Sequence, residues 1–251
     1  MQPRGNRQKI MTQAPEYRTV LAADIADSAG RGDIALIHIR NVLFAALKGA
    51  LKYSEINLSN CRQQDTGDGV QLIMPDQAWK AQLLHPFAEA FAERLRTHNL
   101  TADPSTQIKV RIALHAGDIH FDSNGEAIGQ PLEVAARLLD ASPAREALAA
   151  NDSRSAPLSV ILSQHFYDET VLRGYPGIDR DRFHRVSVSV KKYTAPAWLW
   201  MPSEPEQPTT LEGSESESRG QSTLHVGGDL SGAVVIGNGS SAQVRQAPRC
   251  P

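Results

Sequence analysis

The chain has 251 residues, and its 26 Lys and Arg against 28 Asp and Glu give a formal net charge of −2. That balance leaves no global basic field of the kind that draws a protein to nucleic acid. A hydrophobic share of 41% suits one substantial globular core carrying a polar appendage.

Residues 18–25 (RTVLAADI) are β-like and largely apolar, as a strand covered on both faces would be. From Asp33 the period turns helical, with Ile34, Ile37, Val42, Leu43, Leu47 and Leu51 on one stripe and Asp33 suited to the N-cap. Two short strands follow at about 58–64 and 70–74, joined by DTGDG, whose Asp and Gly residues suit a tight hairpin. A second amphipathic helix is expected over 76–98. Residues 107–122 (QIKVRIALHAGDIHFD) read as strand, glycine turn, strand, and 131–139 as a helix with Pro131 in its first turn. A strand at 158–162, a short helix at 164–172 and a closing hairpin from 183–190 and 197–201 complete the domain. The order strand, helix, strand, strand, helix, strand predicts an α+β fold. It is a ferredoxin-like antiparallel sheet with helices on one face, bounded at 18–201 after a disordered N-terminal segment, 1–17.

Beyond the domain, 202–222 is rich in Ser, Glu and Pro with almost no large apolar residue, the composition of a linker. Residues 223–245 differ, alternating glycine and small residues with Val226, Leu230, Val234, Ile236 and Val244, before a short end at 246–251. This β-prone piece is too short to hold a core by itself and would need a partner chain or another copy of itself. Cys61 and Cys250 make a poor disulfide pair, which favours a reducing cytoplasm. Arg4, Arg7 and Lys9 are not followed by the apolar stretch of a secretory signal. The apolar run 34–53 is broken by His38, Arg40 and Lys48, against a membrane span.

Two acids stand where a turn would expose them: Asp24 at the end of the first strand and Asp68 at the tip of the hairpin. Singly they read as a surface acid and a turn former. In a ferredoxin-like sheet they become neighbours, and paired carboxylates suit Mg²⁺ or Mn²⁺, which also take phosphate oxygens as ligands. His115 and His120 lie five apart on a strand and so face opposite ways, with no third ligand to complete a zinc site. Trp79, Trp198 and Trp200 read as packing residues, and His184 and Arg185 as solvent-facing.

ADIADSAG, DTGDGVQLIMP, VRIALHAGDIH and IGQPLEVAARL resemble, in order and spacing, four signature blocks of class III nucleotidyl cyclase catalytic domains, and VKKYTAPAWLW resembles a fifth. The resemblance implies Asp24, Asp68 and the Ile25 carbonyl as metal ligands. It implies Arg137 as the arginine that holds charge on the reacting phosphorus, and Lys191 as the lysine on the terminal phosphates. It further implies a nucleoside triphosphate substrate, Mg²⁺ or Mn²⁺, and a head-to-tail homodimer with two composite sites. Three positions depart from the family pattern. Gln64 stands where the base code has Lys or Glu, Glu126 where it has Asp or Cys, and Glu133 where an asparagine orients the ribose. Lys192 replaces a glycine, and Asp27 adds an acid to the phosphate loop. Two readings of this altered code stay open. One is a pyrimidine cyclase, since some bacterial relatives make cyclic pyrimidine messengers in anti-phage defence. The other is a degenerate dimer module that holds nucleotide without turnover. GGDLSGAVVIGNG in the tail resembles bacterial RHIM-like amyloid signalling motifs, implying a protein partner bound through residues 223–245.

Overall fold

The computed structural model describes residues 14–202. In chain order the strands are β1 (Glu16–Ile25), β2 (Arg62–Asp65), β3 (Gly69–Ile73), β4 (Val110–Phe121), β5 (Ala127–Ile128), β6 (Leu158–Ser163), β7 (His184–Val190) and β8 (Tyr193–Trp200). The helices are α1 (Asp33–Tyr53), α2 (Phe87–Thr101), α3 (Gln130–Leu139), α4 (Ser142–Ala149) and α5 (Gln164–Glu169). The strands lie in the order β2-β3-β1-β4-β6-β8-β7, with β5 paired to β4.

β1, α1, β2, β3, α2 and β4 form the expected ferredoxin-like core, in which β1 pairs antiparallel with both β3 and β4. Alternation along β1 explains the layers, because successive side chains point to opposite faces. Leu21, Ala23 and Ile25 join α1 and α2 on one side, while Val20 and Ala22 join α3 and α4 on the other. The two core helices therefore share one face as expected, and the later α3 and α4 cover the second. β6 extends the sheet parallel to β4, and β8 and β7 continue it antiparallel.

Several boundaries depart from the sequence expectation. β1 starts at Glu16, inside the segment expected to be disordered, because Glu16 and Tyr17 still pair with Ile119 and Asp118. Asp33 opens α1 rather than capping it, and Gly32 holds the cap position. Ile34 and Ile37 are 87% and 61% exposed. The buried stripe is instead Ile39, Leu43, Ala46, Leu47, Ala50 and Leu51. α1 has the length and apolar composition to cross a membrane, yet this stripe packs on the sheet as part of the core. α2 begins only at Phe87, since Pro86 lacks a donor and disfavours helix at His85, and Lys80–Leu83 forms a separate 3₁₀ turn. The 58–64 region gives a 3₁₀ turn at Leu58–Asn60 before β2.

Gly117 makes no turn. β4 runs through it unbroken, and a Cβ there would come within 2.8 Å of the Pro131 ring at the start of α3. The glycine lets α3 press onto the strand. On the other face Phe87 and Phe91 stack 5.7 Å apart, fully buried. Each such side chain contributes about 1.5–3 kcal/mol.

Candidate active site

Asp24 sits near the end of β1 with its side chain on the α3 face, opposite Gly69 of β3 and Arg111 of β4. A Cβ on Gly69 would fall 2.1 Å from the Ala23 carbonyl oxygen and 2.8 Å from the Asp24 Cα. Only glycine permits this approach, and it brings the hairpin tip down onto β1. The Ile25 amide donates to the Asp68 carbonyl at 3.2 Å, and Ser28 Oγ donates to the Asp68 carboxylate at 2.8 Å. The structure thus places Asp24, Ile25 and Asp68 around one corner of the sheet, as the sequence led us to expect.

Arg111, which the sequence reading passed over, completes this corner. Its Nε donates to Asp24 Oδ1 at 2.8 Å and its Nη2 to Oδ2 at 2.5 Å, a bidentate pair with each side chain about nine-tenths buried (11% exposed). A signal was present in the sequence: an arginine between Val110 and Ile112, inside a strand destined for the core, must find a counter-charge. Burial pushes the Asp24 carboxyl up to about 6, with Arg111 pulling down and Asp68 and Asp140 adding repulsion. Asp68 and Asp140 therefore both act against the charge on Asp24, and one guanidinium is the cation that Asp24 grips.

The loop between β1 and α1 is pinned by Arg31, which donates to the carbonyls of Asp27 at 2.7 Å, Gln107 at 2.5 Å and Ala26 at 3.3 Å. Asp27 takes a left-handed φ of 53° there, a conformation that Asp tolerates better than most non-glycine residues.

The positions expected to read the base also converge. Gln64 lies opposite Gln71, and its amide reaches the Ala127 carbonyl at 3.4 Å, one residue from the exposed Glu126. Arg62, two residues earlier, donates to the Gly125 carbonyl at 2.7 Å and lies over the Phe121 ring at 4.2 Å. Gln71 donates to the Leu132 carbonyl at 3.2 Å, which ties the sheet to the first turn of α3.

The remaining positions lie on α3 and in the β7–β8 turn. Arg137 occupies the last turn of α3 and Glu133 its first, and Glu133 is exposed. Among the described residues no ion pair joins them. Lys191 and Lys192 form the exposed β7–β8 turn, with Lys191 at a left-handed φ of 54°. The β7–β8 hairpin is separated from β1 by β4 and β6. At a strand spacing of about 4.8 Å the hairpin lies roughly 15–20 Å across the sheet from Asp24, and the pairing register puts Lys191 at the opposite end of the strands from it.

Among the described residues no group of three or more His, Cys, Asp and Glu is arranged to hold a metal. The acidic corner nevertheless fits a hard divalent cation. Mg²⁺ commonly takes one or two carboxylates, which Asp24 and Asp68 could supply once Arg111 releases the two Asp24 oxygens, plus substrate phosphates. His115 donates to or accepts from Ser163 at 2.8 Å and belongs to no metal cluster. A recess of about 1030 Å³ opens between α1 and α2, lined by Val42, Ala46, Pro86 and Arg94 among others. It contains none of these candidate residues, so its size says nothing about their chemistry. Trp200 is buried, Trp198 stacks on Tyr167 at 3.8 Å, and Trp79 is half exposed. The tail motif at 223–245 and the linker lie outside the described residues.

No protein-family profile and no curated protein matches the chain. Solved structures do. An adenylate/guanylate cyclase/hydrolase from Silicibacter pomeroyi is 20% identical with a TM-score of 0.52, over 75% of this chain and 98% of that one. The catalytic core of a rhodopsin-guanylyl cyclase with converted specificity, in complex with ATPαS, is 15% identical with a TM-score of 0.50, over 76% and 98%. The monomeric guanylyl cyclase domain of the RhoGC fusion protein from the aquatic fungus Blastocladiella emersonii is 14% identical with a TM-score of 0.50, over 75% and 96%. The sheet order, the docked β2–β3 hairpin and these likenesses together show that residues 14–202 have the class III nucleotidyl cyclase fold.

Proposed function

We propose that the protein converts a nucleoside triphosphate into a 3′,5′-cyclic nucleotide and pyrophosphate. The observation that carries this reading is the meeting of Asp24 with the Asp68 hairpin across Gly69, which brings two acids to one corner of the sheet. The ribose 3′-oxygen attacks the α-phosphorus in line, the bond to the bridging oxygen of pyrophosphate breaks, and the 3′ proton leaves to water. Asp24, Asp68 and the Ile25 carbonyl would hold Mg²⁺ or Mn²⁺. A bound cation of this kind acidifies the hydroxyl and offsets the charge of the leaving group. Arg137 holds the charge that builds on the α-phosphorus and Lys191 the terminal phosphates.

Lys191 stands too far from Asp24 for one triphosphate to bridge them in a single chain, which supports a head-to-tail homodimer with two composite sites. Glu133 points to solvent and leaves Arg137 unclamped, which supports turnover over a disabled site. Gln64 and Glu126 offer an amide and a carboxylate, a pair suited to a uracil or cytosine edge. The protein works in the cytoplasm, and residues 223–245 recruit it to a protein partner. Deleting 223–251 should abolish that recruitment, and a pull-down showing it unchanged would remove the tail from the account.

The second reading is a nucleotide-binding dimer without turnover. Arg111 favours it, because a metal at Asp24 must displace a bidentate guanidinium. One assay separates the two. The purified chain is incubated with each of the four ribonucleoside triphosphates and Mn²⁺, and cyclic product and pyrophosphate are measured. Product from at least one triphosphate, lost in Asp24→Ala and Asp68→Ala, is expected. Nucleotide binding with no product from any of the four would leave the second reading standing.

A further inference from the structure

β2 is an edge strand of the sheet, and β5 pairs only with β4. Two strands, β3 and β1, lie between β2 and β4, so backbone pairing does not bring β2 and β5 together. Two side chains do. Arg62 and Gln64 lie on one face of β2, because side chains alternate along a strand. Arg62 donates to the Gly125 carbonyl at 2.7 Å and Gln64 to the Ala127 carbonyl at 3.4 Å. Glu126 stands between those two carbonyls, so β2 holds both of its chain neighbours.

The β4–β5 turn is tied internally. Asp122 Oδ1 accepts from the Asn124 amide at 2.9 Å and from the Glu126 amide at 2.8 Å. The Asp122 amide in turn donates to the Glu126 carbonyl at 3.0 Å. A turn closed in this way moves as one body, and whatever fixes it against β2 fixes Glu126 with it. Arg62 is itself well held. Its guanidinium lies over the Phe121 ring at 4.2 Å, and Phe121 packs against the core cluster on the α3 side of the sheet. Gly125 has a φ of 81°, and a Cβ there would stand 2.8 Å from Arg62 Nη1, so glycine leaves the space the guanidinium takes. Among the described residues neither Arg62 nor Glu126 forms an ion pair. The clamp therefore leaves the Glu126 carboxylate free to accept from a ligand.

We infer that Arg62 is a positioning residue for base discrimination, clamping the β4–β5 turn to β2 and so setting the Glu126 carboxylate at a fixed distance from Gln64. The inference rests on the proposed reading of Gln64 and Glu126 as the groups that face the base. Two polar groups select one base only while their separation is fixed. A carboxylate on a loose turn follows whatever donors arrive, and so binds several bases and rejects none. Arg62 spends its face on Phe121 and its donor on Gly125, so it acts through Glu126 and not on the nucleotide. The residue type matters. A guanidinium stacks on a ring and donates in its own plane at once, whereas a lysine ammonium is a point charge without that planar fork.

The test is calorimetric titration of the full chain with α,β-methylene analogues of the four ribonucleoside triphosphates, which cannot release pyrophosphate. The ratio of the two lowest Kd values gives the base preference. Arg62→Ala and Arg62→Lys should each abolish that preference or cut it about ten-fold. Affinity for inorganic tripolyphosphate, which carries no base, and the far-UV circular dichroism should stay at the parental level. Phe121→Leu keeps an apolar side chain but removes the ring face, and should cut the preference about three-fold. Arg62→Ala combined with Glu126→Gln should discriminate no worse than Glu126→Gln alone, because the clamp acts only through that carboxylate. Without ligand, amide hydrogen exchange over 122–128 should rise in Arg62→Ala. Full preference in Arg62→Lys would assign the effect to charge and overturn the clamp, as would losses that add in full in the double variant. A preference untouched by Arg62→Ala overturns the role of Arg62 alone. A parent chain that binds all four analogues alike overturns it together with the reading of Gln64 and Glu126.

Discussion

At the carboxylate end of the domain, Asp24 is fixed on a buried strand, Asp68 is tied down through Ile25 and Ser28, and Gly69 presses the two elements together. Lys191, by contrast, sits across the sheet in an exposed two-residue turn, with no ion pair holding it among the described residues. One end is assembled by its own chain and the other is presented outward. A binding half that must compress like charges needs a rigid frame to hold them. A half that offers cations to an incoming polyanion needs only reach. The difference supports the proposal that a second chain completes each site.

Complementation tests that contrast most severely. Asp24→Ala and Arg137→Ala should each lower cyclic-product formation by about 10²-fold or more. Mixed in equal amounts, the two inactive chains should recover about a quarter of parental activity, because half the dimers are mixed and each of those holds one intact site. No recovery on mixing would mean that each chain completes its own site, and the contrast would collapse.

Next in size is Arg111→Ala. It leaves the Asp24 carboxylate buried and unpaired, at a cost of about 3 kcal/mol in urea unfolding near neutral pH. Gly69→Ala should cost about 1–3 kcal/mol, since the added methyl collides with the Ala23 carbonyl, and should reduce product by moving the hairpin off Asp24. Lys192→Ala, at the outward-facing end, should stay within about 0.5 kcal/mol of the parent. Equal losses for Gly69→Ala and Lys192→Ala would show that the carboxylate end is no more rigid than the other.

The last effect concerns the middle of β4 and shows only on acidification. Burial, reinforced by His165, holds His115 down to about 4 against an ordinary value of 6.5. Its folded-state value is depressed, so the unfolded chain takes up a proton on acidification before the folded chain does. Stability from this group is complete above about pH 6.5 and declines as pH falls toward 4. His115→Gln should flatten the dependence of Tm on pH across that window.

The two ends also differed in how legible they were. The acids were readable because strand end and hairpin tip are local features, and the ferredoxin-like order makes them neighbours. The stripe on α1 was misread because Ile34 and Ile37 share the helical period without facing the sheet; only packing against α2 and β1 sets the rotation of the helix. Gly117 read as a turn because nothing in the neighbouring residues announces that Pro131 will lie on top of it.

While β5 and α4 went unread, what the sequence determined by itself was the order of the first six elements, the hairpin chemistry of DTGDG and the expectation that Asp24 and Asp68 are neighbours. Each follows from periodicity or turn geometry over a few residues. Tertiary structure alone decided that Arg111 grips Asp24, that α3 and α4 cover the second face, that Glu133 leaves Arg137 unclamped and that β7 ends the sheet. Those are relations between segments distant along the chain. They depend on which strand lies beside which, and no local pattern of residues encodes that.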